Sequence, residues 1–211
     1  MKNFTLAGLL LAMLLIPKLV QAQKTVEISP FIGYTFSGEA NNLYYNGRIA
    51  GLDIKDAMSF GATIAFGVGD MVQGEFSYTH IDTRAVRFAG NSRAESFDIG
   101  VEYYQLGAVK EFGQNPSLLP FAKVSLGANR YWDKAKIYDS RWFFSGVIGL
   151  GVKKYLNERI GIKLYSNLNL PMQFNGVGLW FGTGGVDGGA SFNVPLVHWD
   201  LGAGLVFKIE R

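Results

Sequence analysis

The sequence alternates between apolar and other residues along residues 142–170, and this repeat limits the fold more than any other feature. Apart from Val147, the residues between the apolar positions are mostly glycine, small, polar or charged, and Asn157-Glu158-Arg159 separates the two alternating runs. A period of two residues is that of a β-strand with one apolar face, so the segment predicts a β-hairpin. Its apolar face comprises Phe144, Gly146, Ile148, Leu150, Val152, Ile160, Ile162, Leu164, Leu168 and Leu170.

The N-terminal residues 1–22 predict a secretory signal peptide that is cleaved before Gln23. Lys2 precedes an apolar run at residues 6–16, Pro17 ends the run, and Ala22 is a small residue at the expected cleavage site. A run of this length is too short to span a bilayer as a helix, which disfavours the alternative of an uncleaved anchor. We therefore expect an exported chain whose single domain is residues 23–211.

Charge and composition exclude several classes of function. Without residues 1–22 the chain has 18 basic and 17 acidic residues, so no polyanionic partner such as nucleic acid is predicted. The sequence has no cysteine and two histidines, and we expect no disulfide, metal centre or other cofactor. No later segment has 18 consecutive apolar residues, which leaves a β-barrel as the way to cross a membrane.

The alternation extends over the mature chain and predicts eight strands. Long polar connections at residues 37–56, 84–95, 133–141 and 172–191 alternate with short turns, an asymmetry that is typical of bacterial outer-membrane barrels. The sequence thus predicts an all-β, eight-stranded antiparallel up-and-down transmembrane β-barrel with both termini in the periplasm. The predicted strands are 26–36, 57–68, 71–83, 96–112, 118–132, the two strands of the hairpin in 142–170, and 192–209.

The fourth predicted strand, residues 96–112, has apolar residues of both parities. Ile99, Val101 and Tyr103 alternate with Glu102, but Leu106 takes the other parity. If apolar side chains face lipid, Tyr103 points outward, Glu102 points inward, and a β-bulge lies near Gln105.

Several segments of the chain resemble the small outer-membrane β-barrel superfamily that includes OmpX, OmpW and the transmembrane domain of OmpA. The resemblance implies an outer-membrane location, contact with membrane lipid and lipopolysaccharide, and recognition by the barrel assembly machinery of an aromatic residue such as Phe207. We expect a monomer. The segments are Leu119-Pro120-Phe121-Ala122, Gly149-Leu150-Gly151-Val152-Lys153, Leu156-Asn157-Glu158-Arg159 and Asp200-Leu201-Gly202-Ala203-Gly204-Leu205-Val206-Phe207.

A soluble lipocalin-type barrel is the main architectural alternative, and it would have the opposite polarity, with apolar residues inside. The polar strand faces here are rich in glycine, serine and threonine, which suits a narrow interior better than a hydrated exterior.

The predicted interior carries charged residues, and an isolated buried charge is costly, so we expect them to pair and close the barrel. The alternatives are a wetted, unpaired interior and a narrow channel for small or hydrophobic solutes. The predicted interior polar network is Glu27, Glu75, Glu102, Lys123, Lys153, Lys163 and Tyr165.

Two pairs of aromatic residues lie in the predicted external loops, Tyr44-Tyr45 and Trp180-Phe181. They are candidate contacts for an unidentified surface ligand, and the alternative is that they pack at the membrane interface or over the barrel mouth. The function that we expect is structural or surface interaction.

A lipid-modifying enzyme is a further alternative, because such a site needs a nucleophile beside an oriented base. His80 has outward parity and His198 inward parity, and each has an aspartate two residues later. Ser191 or Ser166 are conceivable partners of His198. A histidine–aspartate pair alone is weak evidence, and we expect no enzymatic activity.

Overall fold

The computed structural model describes residues 25–45, 48–88, 95–113, 118–136, 140–182, 185–193 and 197–210. Within these ranges the side chains of residues 39–52, 87–88, 95, 173–182, 185–193 and 210 are not described. The expected signal peptide, residues 1–22, lies outside the described residues. In the described part of the chain, no helix is long and apolar enough to cross a membrane.

Eight strands form a closed antiparallel barrel, because β1 pairs with β11 after the other six have paired in chain order. The barrel consists of β1, β4, β5, β6, β7, β8, β9 and β11, which confirms the predicted fold class. The strands in chain order are β1 Thr25–Ser37, β2 Glu39–Tyr45, β3 Arg48–Ile54, β4 Ala57–Gly69, β5 Val72–Phe88, β6 Glu95–Glu111, β7 Leu119–Asp133, β8 Arg141–Tyr155, β9 Ile160–Gly182, β10 Gly185–Asn193 and β11 His198–Glu210.

The strand register shows how narrow the barrel is. A path through paired residues that leaves β1 at Val26 returns to β1 at Phe36, a stagger of ten residues. Eight strands with this stagger tilt by about 40° and enclose an interior just wide enough for side chains. The path runs through Val26, Phe66, Gly74, Ala108, Val124, Ile148, Leu168, Trp199 and Phe36.

The polarity of the barrel is that of a membrane protein. Leu150 is 63% exposed on the outer surface, whereas Lys153 in the same strand is 2% exposed inside. A lipocalin-type barrel would have the reverse arrangement, so this alternative is wrong. An apolar outer band around a charged interior is stable when lipid covers the band. The largest exposed apolar residues of the band include Ile32, Phe60, Ile64, Leu106, Val124, Leu126, Ile148, Leu150, Leu164 and Leu205.

The predicted side-chain directions in β6 are wrong in its first half. Val101 and Tyr103 are fully buried in the interior, and Glu102 therefore lies on the outer face. The pairing of β6 with β5 and β7 has a constant register from Ile99 to Lys110, so the predicted bulge near Gln105 is absent. The physical reason is that apolar residues line this part of the interior, so apolar character does not mark the lipid face there.

The first and fourth predicted loops contain strands rather than irregular chain. β2 and β3 pair with each other and β3 pairs with β5, while β10 pairs with the extended β9. β5 also extends five residues beyond its predicted end at residue 83, and Phe192 and Asn193, which were predicted to begin the last strand, belong to β10 instead. We call this end of the barrel the hairpin end. The opposite end, which holds both described chain ends and the three short connections, is the turn end.

Candidate functional site: the barrel interior

The interior at the turn end is organised around Lys153. Its Nζ lies 2.7 Å from Glu27 Oε2 and 2.7 Å from Glu111 Oε1, and it donates to Gln73 Oε1 over 2.8 Å. The Tyr155 hydroxyl donates to the remaining Glu27 oxygen over 2.6 Å. One ammonium group thus bridges two carboxylates from different strands, and each of the three charged groups has a charge-assisted hydrogen bond.

A second charged layer lies in the middle of the barrel, around Glu75. Lys123 Nζ is 2.6 Å from Glu75 Oε1, and Lys163 Nζ is 3.5 Å from Glu75 Oε2. Lys123 also contacts Ser77, and Lys163 contacts Thr63 at 3.1 Å. This layer has two cations for one anion, whereas the layer around Lys153 has one cation for two anions.

On the hairpin-end side of these two layers, Asp200 is buried among hydroxyl groups. Ser59 Oγ donates to Asp200 Oδ1 over 2.6 Å, and Thr35 Oγ1 donates over 3.0 Å. The Tyr165 ring stands beside Gly33 and Gly202, where an added Cβ would lie 2.7 Å and 2.3 Å from its hydroxyl oxygen. The two glycines therefore make room for the tyrosine in the cross-section.

At the hairpin end the interior becomes apolar. His198 is 1% exposed, and its Nε2 lies 2.9 Å from the Tyr131 hydroxyl. Next to it lies a buried apolar cluster that joins β3, β5 and β6. We call it the apolar cap, and it consists of Ile54, Ile81, Ala85, Ile99, Val101 and Tyr103.

The structure brings six of the seven predicted network residues into the interior, in the layers described above. Glu102 is the exception, because its carboxylate lies on the outer face near His80 and Arg130. Sequence reasoning missed Glu111, Asp200 and the apolar cap. If β6 alternates without a break from end to end, Glu111 falls on the same face as Val101 and Tyr103. That face then points into the interior.

The side chains of the four predicted loop contacts are not described. Tyr44 and Tyr45 belong to β2, and Trp180 and Phe181 belong to the extension of β9, so all four positions lie in the hairpins rather than in irregular loops.

Among the described side chains, neither histidine lies between a serine and an aspartate as a catalytic triad requires. His198 Nδ1 lies 2.8 Å from Ser37 Oγ, but its other nitrogen faces Tyr131 rather than a carboxylate. Ser166 accepts a hydrogen bond from Trp199 Nε1 on the outer face, and the side chain of Ser191 is not described. The described residues contain no group of three histidine, cysteine or acidic side chains that could hold a metal ion.

The interior opens at the turn end into a vestibule of about 790 Å³. Glu27, Gln73 and Glu111 line it, together with Tyr155 and Lys208. The same Glu27 and Glu111 bind Lys153, so the ionic layer forms the floor of the vestibule.

Solved outer-membrane barrels have the same fold at low sequence identity. OprG from Pseudomonas aeruginosa is 12% identical with a TM-score of 0.61, and the match covers 90% of this chain and 98% of OprG. Neisserial surface protein A is 11% identical with a TM-score of 0.59, over 88% of this chain and 97% of that one. The outer membrane protein AlkL, solved by solid-state NMR in lipid bilayers, is 13% identical with a TM-score of 0.54, over 90% and 92%.

No protein-family model and no curated protein matches the sequence. The likeness to solved structures therefore concerns the fold, which is that of the small integral outer-membrane β-barrels.

Proposed function

We propose that this outer-membrane barrel is closed to solutes and serves as a membrane-anchored scaffold that presents its hairpins outside the cell. The filling of the interior is the observation that supports a closed barrel. From the turn end to the hairpin end, the axis is crossed by the Lys153 layer, the Glu75 layer, the Asp200 group and the apolar cap.

The energetics of the two ionic layers favour closure. A passing ion would have to separate Lys153 from Glu27 and Lys123 from Glu75 in a narrow interior that gives little hydration. Breaking a buried ion pair leaves an uncompensated charge, which costs about 3–5 kcal/mol per pair. The alternative of a narrow channel requires both layers to rearrange together.

The hairpins are the elements that this scaffold would present. β2 and β3 extend one barrel hairpin, and β9 with β10 extends another, so that both project past the apolar band. Long external segments and short periplasmic turns are typical of outer-membrane barrels, which favours hairpins outside and both termini in the periplasm.

An enzymatic role is less well supported. The Ser37–His198 pair has a nucleophile next to a base, but His198 is buried and no carboxylate of the described residues orients its second nitrogen. Catalysis by such a pair needs an oriented base and access for the substrate.

Single-channel recording in planar bilayers tests the closed barrel. We expect no stable conductance step from the purified protein, because both ionic layers block the axis. A porin with an aqueous channel, recorded in the same bilayers, serves as the open control. A stable, large conductance from the natural protein would refute the proposal.

A further inference from the structure

The vestibule at the turn end is large enough to hold more than a few water molecules. Its volume is about 790 Å³, and the Lys153 layer forms its floor. A water molecule takes up about 30 Å³ in the liquid, whereas sites for small organic molecules are typically about 300–1,000 Å³. A molecule could enter and leave this space without crossing either ionic layer of the closed barrel.

The hydrogen-bond donors of the floor are already used, and most of them are directed at Glu27. An ammonium group has three donors, and three acceptors surround the Nζ of Lys153. They are Glu27 Oε2, Gln73 Oε1 and Glu111 Oε1, at 2.7, 2.8 and 2.7 Å. The Tyr155 hydroxyl and the Gln73 amide both donate to Glu27 Oε1, over 2.6 and 2.8 Å. Both oxygens of Glu27 are therefore hydrogen-bonded.

Glu111 is the carboxylate of the floor that is left half satisfied. Its Oε1 accepts from Lys153, but its Oε2 has no hydrogen-bond partner among the described residues. The side chain lines the vestibule and is only 13% exposed. Carboxylate oxygens accept hydrogen bonds and do not donate them, so the partner that Oε2 lacks is a donor.

The charge of the vestibule favours a donor that is also a cation. Lys153 is the one cation in contact with both Glu27 and Glu111. Of the remaining charged residues in the lining, Glu158 adds a carboxylate and Lys208 adds a cation. The vestibule therefore lacks one positive charge, and a recess lined by charge of one sign concentrates ions of the other sign.

Part of the vestibule wall is apolar. Met71, Val72 and Leu119 line it at the first residues of β5 and β7. Glu158 belongs to the turn between β8 and β9, so it lies further from the floor than Glu111. The lining thus combines an inner carboxylate, an apolar wall and an outer carboxylate. An aliphatic chain with an ammonium group at each end matches this combination, whereas a hydrated metal ion would press its water shell against apolar side chains.

We infer that the vestibule binds an aliphatic diamine or polyamine. One ammonium group donates to Glu111 Oε2 in a charge-assisted hydrogen bond. The methylene chain packs against Met71 and Leu119, and the second ammonium group pairs with Glu158. This site goes beyond the proposed scaffold role, because a barrel that passes no solute can still bind one at its turn end.

Isothermal titration calorimetry of the folded full chain in detergent micelles tests the inference. The probe is the diamine cadaverine, and the comparison probes are pentylamine with one ammonium group, pentanediol with none, and magnesium chloride. The test variants are Glu111→Gln and Glu158→Gln. Glutamine can still accept from Lys153, so the first variant keeps the ionic layer. The matched control is Asp70→Asn, which removes an exposed carboxylate at the turn end that does not line the vestibule.

We expect the natural protein to bind cadaverine more tightly than pentylamine and to show no heat of binding with pentanediol. Glu111→Gln should weaken the binding of both amines about tenfold or more, because it removes a charge-assisted hydrogen bond. Glu158→Gln should lower the affinity for cadaverine to that for pentylamine and leave pentylamine binding unchanged. Asp70→Asn should bind like the natural protein. All variants are first checked for heat-modifiable gel mobility.

Three outcomes would overturn the inference. The natural protein could give no heat of binding with millimolar cadaverine, in which case water alone fills the vestibule. Asp70→Asn could weaken binding as much as Glu111→Gln, which would indicate general attraction to an acidic surface. Magnesium could bind as tightly as cadaverine, which would indicate a site without preference for an organic cation. None of these results depends on the conductance of the barrel, so the closed barrel and the amine site can fail separately.

Discussion

At the scale of single residues, Lys153 is the interior side chain on which the turn end depends. It is 2% exposed and contacts both Glu27 and Glu111 at 2.7 Å. Replacing it by methionine keeps the length of the side chain but leaves the buried Glu27 and the half-buried Glu111 without this cation. We expect Lys153→Met to lower the free energy of unfolding by about 3–5 kcal/mol, measured by urea titration in detergent.

The neighbouring Lys154 provides the control, because it is exposed on the outward face of the same strand. Lys154→Met should change the free energy of unfolding by less than about 0.5 kcal/mol. Adding Glu27→Gln to Lys153→Met should recover part of the loss. Equal effects of the two lysine variants would contradict the ionic layer described here.

Gly33 is a second residue whose role can be measured. A Cβ at this position would lie 2.7 Å from Ser59 Oγ, 2.7 Å from the Tyr165 hydroxyl and 2.9 Å from Asp200 Oδ1. Gly33→Ala should therefore destabilise the barrel by about 1–3 kcal/mol in the same urea titration, since the packed interior cannot absorb the methyl group.

The test of Gly33 includes a rescue and a control. Tyr165→Phe removes one of the crowding atoms, so it should be less harmful in the Gly33→Ala background than in the natural protein. Gly67→Ala is the control, because a Cβ there meets no atom within 4 Å. Additive effects of Gly33→Ala and Tyr165→Phe would show that the two positions do not share space.

At the scale of strands, β6 shows where sequence reasoning works and where it does not. Its second half was assigned correctly, because Leu106 faces lipid while Gln105 faces the interior. Its first half was reversed, because Val101 and Tyr103 belong to the apolar cap. Alternation shows that a strand has two different faces. It shows which of them contacts lipid only where the other face is polar.

The hairpin extensions were missed for a related reason. Residues 37–56 and 172–191 are polar or rich in glycine, and a strand pair with water on both sides has no apolar face to reveal it. Their pairing is visible in the backbone register, in which Glu39 pairs with Asp53 and Gly182 pairs with Gly185. The barrel strands, by contrast, each have lipid on one side and were found from their alternation.

Removal of the first hairpin extension tests whether it is independent of the barrel. Replacing residues 40–52 by Asn-Gly joins the paired residues Glu39 and Asp53 through a two-residue turn. We expect the variant to keep heat-modifiable mobility and to change the free energy of unfolding by less than about 2 kcal/mol, since a two-stranded ribbon in water is only marginally stable. If the variant fails to fold, the barrel requires the extension for folding.

At the scale of the whole molecule, the interior changes from ionic to apolar along the barrel axis. The ionic part was largely predictable, because Lys123, Lys153 and Lys163 alternate with apolar residues on cleanly patterned strands. The pairing partners of these lysines were not predictable. Which carboxylate meets which lysine depends on the stagger of ten residues around the barrel, and the sequence of a single strand does not determine that stagger. The ionic layers and the apolar cap together make the two ends of the molecule chemically different.

This difference between the ends gives the last prediction, which concerns orientation. The natural chain has no cysteine, so single cysteines report without background. Ala135 lies in the exposed connection at the hairpin end, and Glu158 lies in the exposed turn between β8 and β9. We expect a membrane-impermeant maleimide to label Ala135→Cys on intact cells, but to label Glu158→Cys only after the outer membrane has been permeabilised.

The expected result follows from the arrangement of turns and loops that is typical of outer-membrane barrels. Short turns such as the one at Glu158 are the segments that outer-membrane barrels keep in the periplasm, whereas the long hairpins end outside. If Glu158→Cys is labelled on intact cells and Ala135→Cys is protected, the orientation is the opposite one, with the turn end outside the cell and the hairpin end in the periplasm.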